Sequence, residues 1–203
     1  MGSPEGIVKI AGTRFSAQGP VLITHWGLSG PAVLKLSAFA ARELAGMQYN
    51  FSVVVNWLPG MHEQSCRDVL QQLRTTSPAK KMINANPFSI PARLWHFFLA
   101  DADINETVRV TDVTAKNMNR LARSLTGFEI SVKGKTTFKE EFVTAGGILT
   151  GEVEPDTMQS RLHSGLYFAG EILDVDGITG GYNFQHAWTS GWIAAKHISR
   201  VMD

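Results

Sequence analysis

Two short segments near the C-terminus place chemically useful residue types in a useful order. Gly165-Leu166-Tyr167-Phe168-Ala169-Gly170-Glu171 reads as a short buried strand ending in a glycine and a carboxylate. Gly180-Gly181 then stands before a helix beginning Gly181-Tyr182-Asn183-Phe184. A carboxylate at a strand end accepts hydrogen bonds from sugar or polyol hydroxyls. A glycine pair lets backbone approach a flat ligand closely. A helix start presents unpaired N–H groups and a positive dipole end, which favours an anion or an oxygen that becomes negative during reaction. Together these features describe a seat for a redox cofactor at the C-terminal edge of a sheet, although Gly-Gly before a helix is by itself usually a turn.

Other reactive residue types have plainer uses. His25 and His186 titrate near neutral pH, yet a lone histidine is more often a hydrogen-bonded structural residue, and that is expected of both. Cys66, the one cysteine, falls on an apolar helix face and is expected in the core rather than as a redox thiol. A single cysteine also excludes an intrachain disulfide framework and a Cys-rich zinc site. Asp174-x-Asp176-Gly177 starts like a calcium loop but lacks the third acidic position and the closing glutamate, so no metal is expected. The five tryptophans are expected in the core. No catalytic acid or base emerges.

The elements that must position these residues follow from periodicity. Ile7-Val8-Lys9-Ile10 and Val21-Leu22-Ile23-Thr24 read as strands. Ser29 is a plausible N-cap, with Pro31 in the first turn of a helix running to Leu44 and stopped by Gly46. Tyr49 to Asn56 is β-branched and aromatic, a strand closed by Pro59-Gly60. From about 61 to 125 the period becomes helical: Cys66, Val69, Leu70 and Leu73; Ile90, Leu94, Phe97 and Phe98; Met118, Leu121, Ala122 and Leu125. Strand signals return at 128–132 and 136–143. On the terminal helix, Phe184, Trp188, Gly191, Ala195, Ile198 and Met202 form one stripe, expected to lie on a sheet.

The chain has 203 residues, 44% hydrophobic and 18% charged, enough for a real core. Its net charge of +1 carries no overall footprint for nucleic acid or an anionic membrane. No run reaches the ~20 apolar residues of a membrane span, and the start of the chain has no signal-peptide core. A cytoplasmic protein is expected.

Thr144-Ala145-Gly146-Gly147, Thr157-Met158-x-Ser160, Leu166 through Gly177 and Thr179-Gly180-Gly181-Tyr182-Asn183-x-Gln185, in this order, resemble the C-terminal half of the HI0933-like (YhiN/BaiN-type) flavoproteins. Thr24-His25-Trp26-Gly27-Leu28-Ser29-Gly30-Pro31 resembles their THxGLSGP segment. The resemblance implies an α+β chain: a β-barrel-like insert (1–60 and 126–143), a small helical subdomain (61–125), and the C-terminal part of a glutathione-reductase-type FAD-binding domain (144–203). It implies that Glu171, after Gly170, matches the acidic residue at the ribityl chain. Gly180, Gly181, Tyr182 and Asn183 match the segment against the isoalloxazine ring, and Gly146 and Gly147 the loop re-entering the cofactor domain. The family's G-x-G-x-x-G fingerprint, which holds the pyrophosphate, does not occur here. The expectation is therefore a fragment of an FAD-dependent oxidoreductase acting on a small-molecule substrate, inactive by itself. It would be partnered by the missing N-terminal half of the cofactor domain, with no nucleic acid and no membrane. The alternative is a non-catalytic insert or cap that does not bind FAD alone.

Overall fold

Alternating β-branched residues form the first hairpin of the computed structural model, which describes residues 3–135 and 143–202. β1 (Glu5–Ile10) buries Val8 and Ile10 and pairs antiparallel with β2 (Ser16–Pro20), Lys9 lying opposite Ser16. β3 (Leu22–Ile23) and β4 (Leu28–Ser29) form a separate two-stranded ribbon, with Leu22 opposite Ser29. Ser29 is therefore a strand residue, not the expected helix cap. Gly30 occupies the turn instead, at φ +95°; a Cβ there would lie 2.8 Å from the Pro20 carbonyl oxygen, so only glycine fits.

The helix predicted from Pro31 to Leu44 is broken at Ala40 into α1 (Pro31–Phe39) and α2 (Ala41–Gly46). β5 (Asn50–Asn56) pairs antiparallel with β1 on one side and with β6 (Phe128–Lys133) on the other. The resulting order is β2-β1-β5-β6. This four-stranded sheet is open: among the described residues no closed barrel forms, since β2 and β6 are each paired on one side only. The strand expected over 136–143 lies, but for Val143, outside the described residues.

Three helices between β5 and β6 match the helical period. α3 (Glu63–Thr76) is capped by His62, whose ring accepts the Ser65 N–H. α4 (Ala92–Asp101) follows, and α5 (Ala115–Gly127) is capped by Thr114, whose hydroxyl accepts the Asn117 N–H. Cys66, Leu70, Leu94, Phe98, Leu121 and Leu125 are buried between them, and Trp95 donates its indole N–H to the Met82 carbonyl at 2.8 Å. Phe97, Phe98 and Phe128 form an edge-to-face cluster, with ring centroids 5.2–5.4 Å apart.

The chain forms two compact units, Met1–Leu36 with Tyr49–Gly134, and Ser37–Gln48 with Lys135–Asp203. The second unit contains α2, the 3-10 turns Thr150–Glu152 and Gly170–Ile172, and the long α6 (Tyr182–Met202). Residues 165–171 do not form the predicted buried strand. Tyr167 makes one isolated bridge with Gln159, and Gly170–Ile172 is a 3-10 turn. The stripe on α6 is also turned around: Phe184 and Trp188 are exposed, while Ser190 and Ala194 are buried. No helix among the described residues is long and apolar enough to cross a membrane.

Candidate functional site

Hydrogen bonds bring the glycine pairs and the carboxylate turn of the second unit onto α6. Ile148 donates its N–H to the Ile172 carbonyl at 2.8 Å and its carbonyl accepts the Asp174 N–H at 2.9 Å, so residues 146–148 run beside the turn that carries Glu171. Gly147 sits at φ +151°, and a Cβ there would lie 2.5 Å from the Ile172 carbonyl oxygen. A side chain at this position would fill the space the turn occupies. Gly146, at φ +100°, has nothing within reach of an added Cβ.

Gly170, at φ +77°, donates its N–H to the Ser190 hydroxyl at 2.9 Å. Ser190 is 2% exposed, and its hydroxyl bonds in turn to the His186 carbonyl. The Glu171 turn is thereby fixed two turns into α6, about 12 Å along the axis from Tyr182, and the Glu171 side chain stays exposed to solvent. Glu171 is free to accept hydrogen bonds from an incoming group.

The helix start is prepared by Asn183. Its side chain accepts the Gly177 N–H at 2.7 Å and donates to the Gly177 carbonyl at 3.1 Å, folding 177–181 over the first turn. Gly180 and Gly181 follow at φ +138° and +91°. The Gln185 N–H reaches the Gly181 carbonyl. The N–H groups of Tyr182, Asn183 and Phe184 have no acceptor among the described residues. They point a positive dipole end outward.

Arg42 of α2 forms an ion pair with Asp174, whose side chain is only 13% exposed. The bond to Asp174 and its charge raise the Arg42 guanidinium above its ordinary value. Asp174 thus spends its carboxylate on a cation from the chain.

Sequence reasoning missed three contributors: Ser190, Arg42 and the Tyr167–His197 pair, whose hydroxyl and ring nitrogen are 3.0 Å apart. Each acts through a contact distant in sequence, so spacing carried no signal. The two histidines diverge. His25 is exposed and packs its ring against Trp26 at a tilt of 53°, centroids 3.9 Å apart, so it is not the hydrogen-bonded structural residue expected. The His186 ring is partly buried, but its Nε2 is buried without a partner among the described residues. A polar atom so placed costs free energy unless something meets it.

These features suit a flat, polar cofactor. Three N–H donors at the start of α6 stand open to an acceptor, an exposed carboxylate can take polyol hydroxyls, Gly146 and Gly181 leave open space beside the backbone, and the His186 Nε2 lacks a partner among the described residues.

Residues 5–143 match the family model described as HI0933-like protein barrel and H2TH domain. The chain is 33% identical over 200 residues to the ribosomal RNA dihydrouridine synthase of Escherichia coli (strain K12), covering 96% of this chain and 46% of that protein. It is 32% identical over 197 residues to the Haemophilus influenzae protein of the same name, covering 97% of this chain and 46% of that one. A 3-dehydro-bile acid delta(4,6)-reductase of Clostridium scindens is 32% identical over 178 residues, covering 88% of this chain and 43% of that protein. The chain spans about half the length of the curated relatives it matches.

The two ribosomal RNA relatives overturn two expectations: a flavoprotein oxidoreductase acting on a small molecule, and the absence of a nucleic-acid partner. The second error has a physical cause. Net charge averages over the surface, whereas phosphate is met by local groups of cations.

Proposed function

Because the chain belongs to the HI0933-like family, and two relatives that it matches over nearly its own whole length are named for an RNA modification, we propose that it is part of an enzyme that reduces uridine to dihydrouridine in ribosomal RNA. Reduction adds two electrons and two protons across one carbon–carbon double bond of the uracil ring. A bound flavin, once reduced by an external two-electron donor, would supply the hydride for such a step, the second proton coming from an acid or from water, and FAD is the form the sequence resemblance implies.

The single observation carrying the cofactor side of this reading is the convergence on α6. The N–H groups of Tyr182, Asn183 and Phe184 would hold a ring carbonyl oxygen and stabilise negative charge that develops there. Glu171 would accept from the polyol chain. Gly180 and Gly181 would let backbone lie against the ring, and Gly146, Gly147 and Gly170 keep the neighbouring turns close enough to close the site. In this reading 144–203 is the returning segment of a glutathione-reductase-type cofactor domain, 1–60 with 126–143 its β-rich insert, and 61–125 the helical part of that insert. On this reading the enzyme would work where ribosomal RNA is, which agrees with the cytoplasmic expectation.

The test is genetic and chemical. Ribosomal RNA from cells lacking the gene is digested and its dihydrouridine measured by mass spectrometry. One dihydrouridine should be lost and restored by the intact gene, and Glu171→Gln should restore it poorly while lowering flavin content per folded molecule. Unchanged dihydrouridine in the deletion strain would overturn the reading. Restored dihydrouridine with normal flavin content in the Glu171→Gln strain would overturn the site assignment alone.

A further inference from the structure

The first unit carries a pair of hydrogen-bonded extended segments on which three cations, Lys80, Lys81 and Arg109, are exposed, the one exposed carboxylate of the pair, Glu106, lying 4.0 Å from His96 instead. Residues 78–83 run antiparallel to 106–111: the Met82 N–H donates to the Val108 carbonyl at 2.9 Å, and the Val110 N–H to the Lys80 carbonyl at 3.0 Å. Lys81 and Arg109 are direct bridge partners. Each stands in extended conformation before a 3-10 turn, Met82–Asn84 and Val110–Asp112. Met82 and Val110 are fully buried beneath, and the Trp95 indole holds the Met82 carbonyl, so the platform is anchored in the helical core.

Lys80, Lys81 and Arg109 are all exposed, and none has an ion-pair partner among the described residues. The one carboxylate of the second 3-10 turn, Asp112, pairs with neither Lys81 nor Arg109 there. Like charges set directly opposite on paired strands are destabilising. Lys81 and Arg109 therefore stand side by side on one face of the pair, with exposed Lys80 at the next register position opposite Val110, and none of the three is ion-paired to a carboxylate among the described residues. The polyanion that fits such a surface is a nucleic-acid backbone.

We propose that Lys80, Lys81 and Arg109 form a phosphate-contacting surface through which the helical unit holds RNA. This rests on the RNA reading above and extends it to a place on the molecule. Such contacts set register and orientation without reading sequence.

The experiment measures binding of fluorescein-labelled ribosomal RNA hairpin to the 203-residue chain by anisotropy, across a salt series. The variants are the triple Lys80→Gln, Lys81→Gln, Arg109→Gln and a control triple of exposed cations elsewhere on the same unit, Lys9→Gln, Arg93→Gln, Lys133→Gln. The site triple should weaken binding about 10-fold or more at moderate salt and flatten the plot of log K against log salt by about 2. The control triple should change both much less. Thermal unfolding of Lys81→Gln should match or exceed that of the unsubstituted chain, because the opposed charges are relieved, so weaker binding cannot be ascribed to misfolding. Equal losses in the two triples would overturn the proposal while leaving the RNA reading intact. Failure of the unsubstituted chain to bind RNA at low salt would overturn both.

Discussion

At Gly147 one methyl group decides whether two turns can lie together. An added Cβ would meet the Ile172 carbonyl oxygen at 2.5 Å, and φ is +151°. Gly147→Ala should therefore destabilise by about 1–3 kcal/mol, read as a lower unfolding midpoint. Gly151→Ala, four residues on and with nothing within 4 Å of its Cβ, should change stability by less than about 0.5 kcal/mol. At Cys66 burial is the dominant cause, with the nearby Glu63 charge adding to it, and together they push the thiol up to about 12. In the unfolded chain the thiol ionises near its ordinary value of about 8.5. The stability held by the buried, protonated thiol is thus complete below that value and declines as pH rises toward 12, by at most about 1.4 kcal/mol per pH unit. Urea unfolding at pH 8 and pH 10 should show this decline, and Cys66→Ala should flatten it. The core position of Cys66 was legible from its helical neighbours. The partner of Gly170 was not, because Ser190 reaches it across twenty positions of chain.

Among the elements, the caps are the simplest to test. Thr114→Ala removes the acceptor for the Asn117 N–H at the start of α5 and should cost about 1 kcal/mol, measured by denaturant midpoint. Ser190→Ala leaves the Gly170 N–H without its acceptor in a part-buried setting and should cost about 1–3 kcal/mol. It should also loosen the Glu171 turn, read as faster amide exchange at residues 170–172. The helices of the first unit were legible because each has one apolar stripe and one polar face, as α5 shows with Met118, Leu121, Ala122 and Leu125 all buried. α6 was legible in existence and extent but not in orientation. Its aromatic stripe and its small-residue stripe are both plausible buried faces, and periodicity does not tell which one the chain covers. Here Ser190 and Ala194 face in and Phe184, Trp188 and Trp192 face out. The turn at 165–171 was misread because a run of Leu, Tyr and Phe has the composition of a strand, while the backbone pairing that would make it one is confined to a single bridge.

Across the whole molecule, the even balance of charge concealed the opposed cations at Lys81 and Arg109, since a sum carries no positions. The tryptophans are unevenly distributed as well. Trp57 and Trp95 are 3% and 0% exposed, both within the first unit, whereas Trp188 and Trp192 on α6 are 73% and 62% exposed and Trp26 is 65% exposed. This gives the protein an intrinsic optical reporter. Two indoles emit from an apolar core and three from water, so acrylamide should quench the folded chain in two phases. The blue-shifted, protected component should vanish only when the helical core of the first unit melts. Loss of order in the second unit would leave the emission maximum nearly still, because its indoles are wet from the outset. A fluorescence melt and a backbone circular-dichroism melt of this one chain should therefore separate wherever its two units unfold at different temperatures.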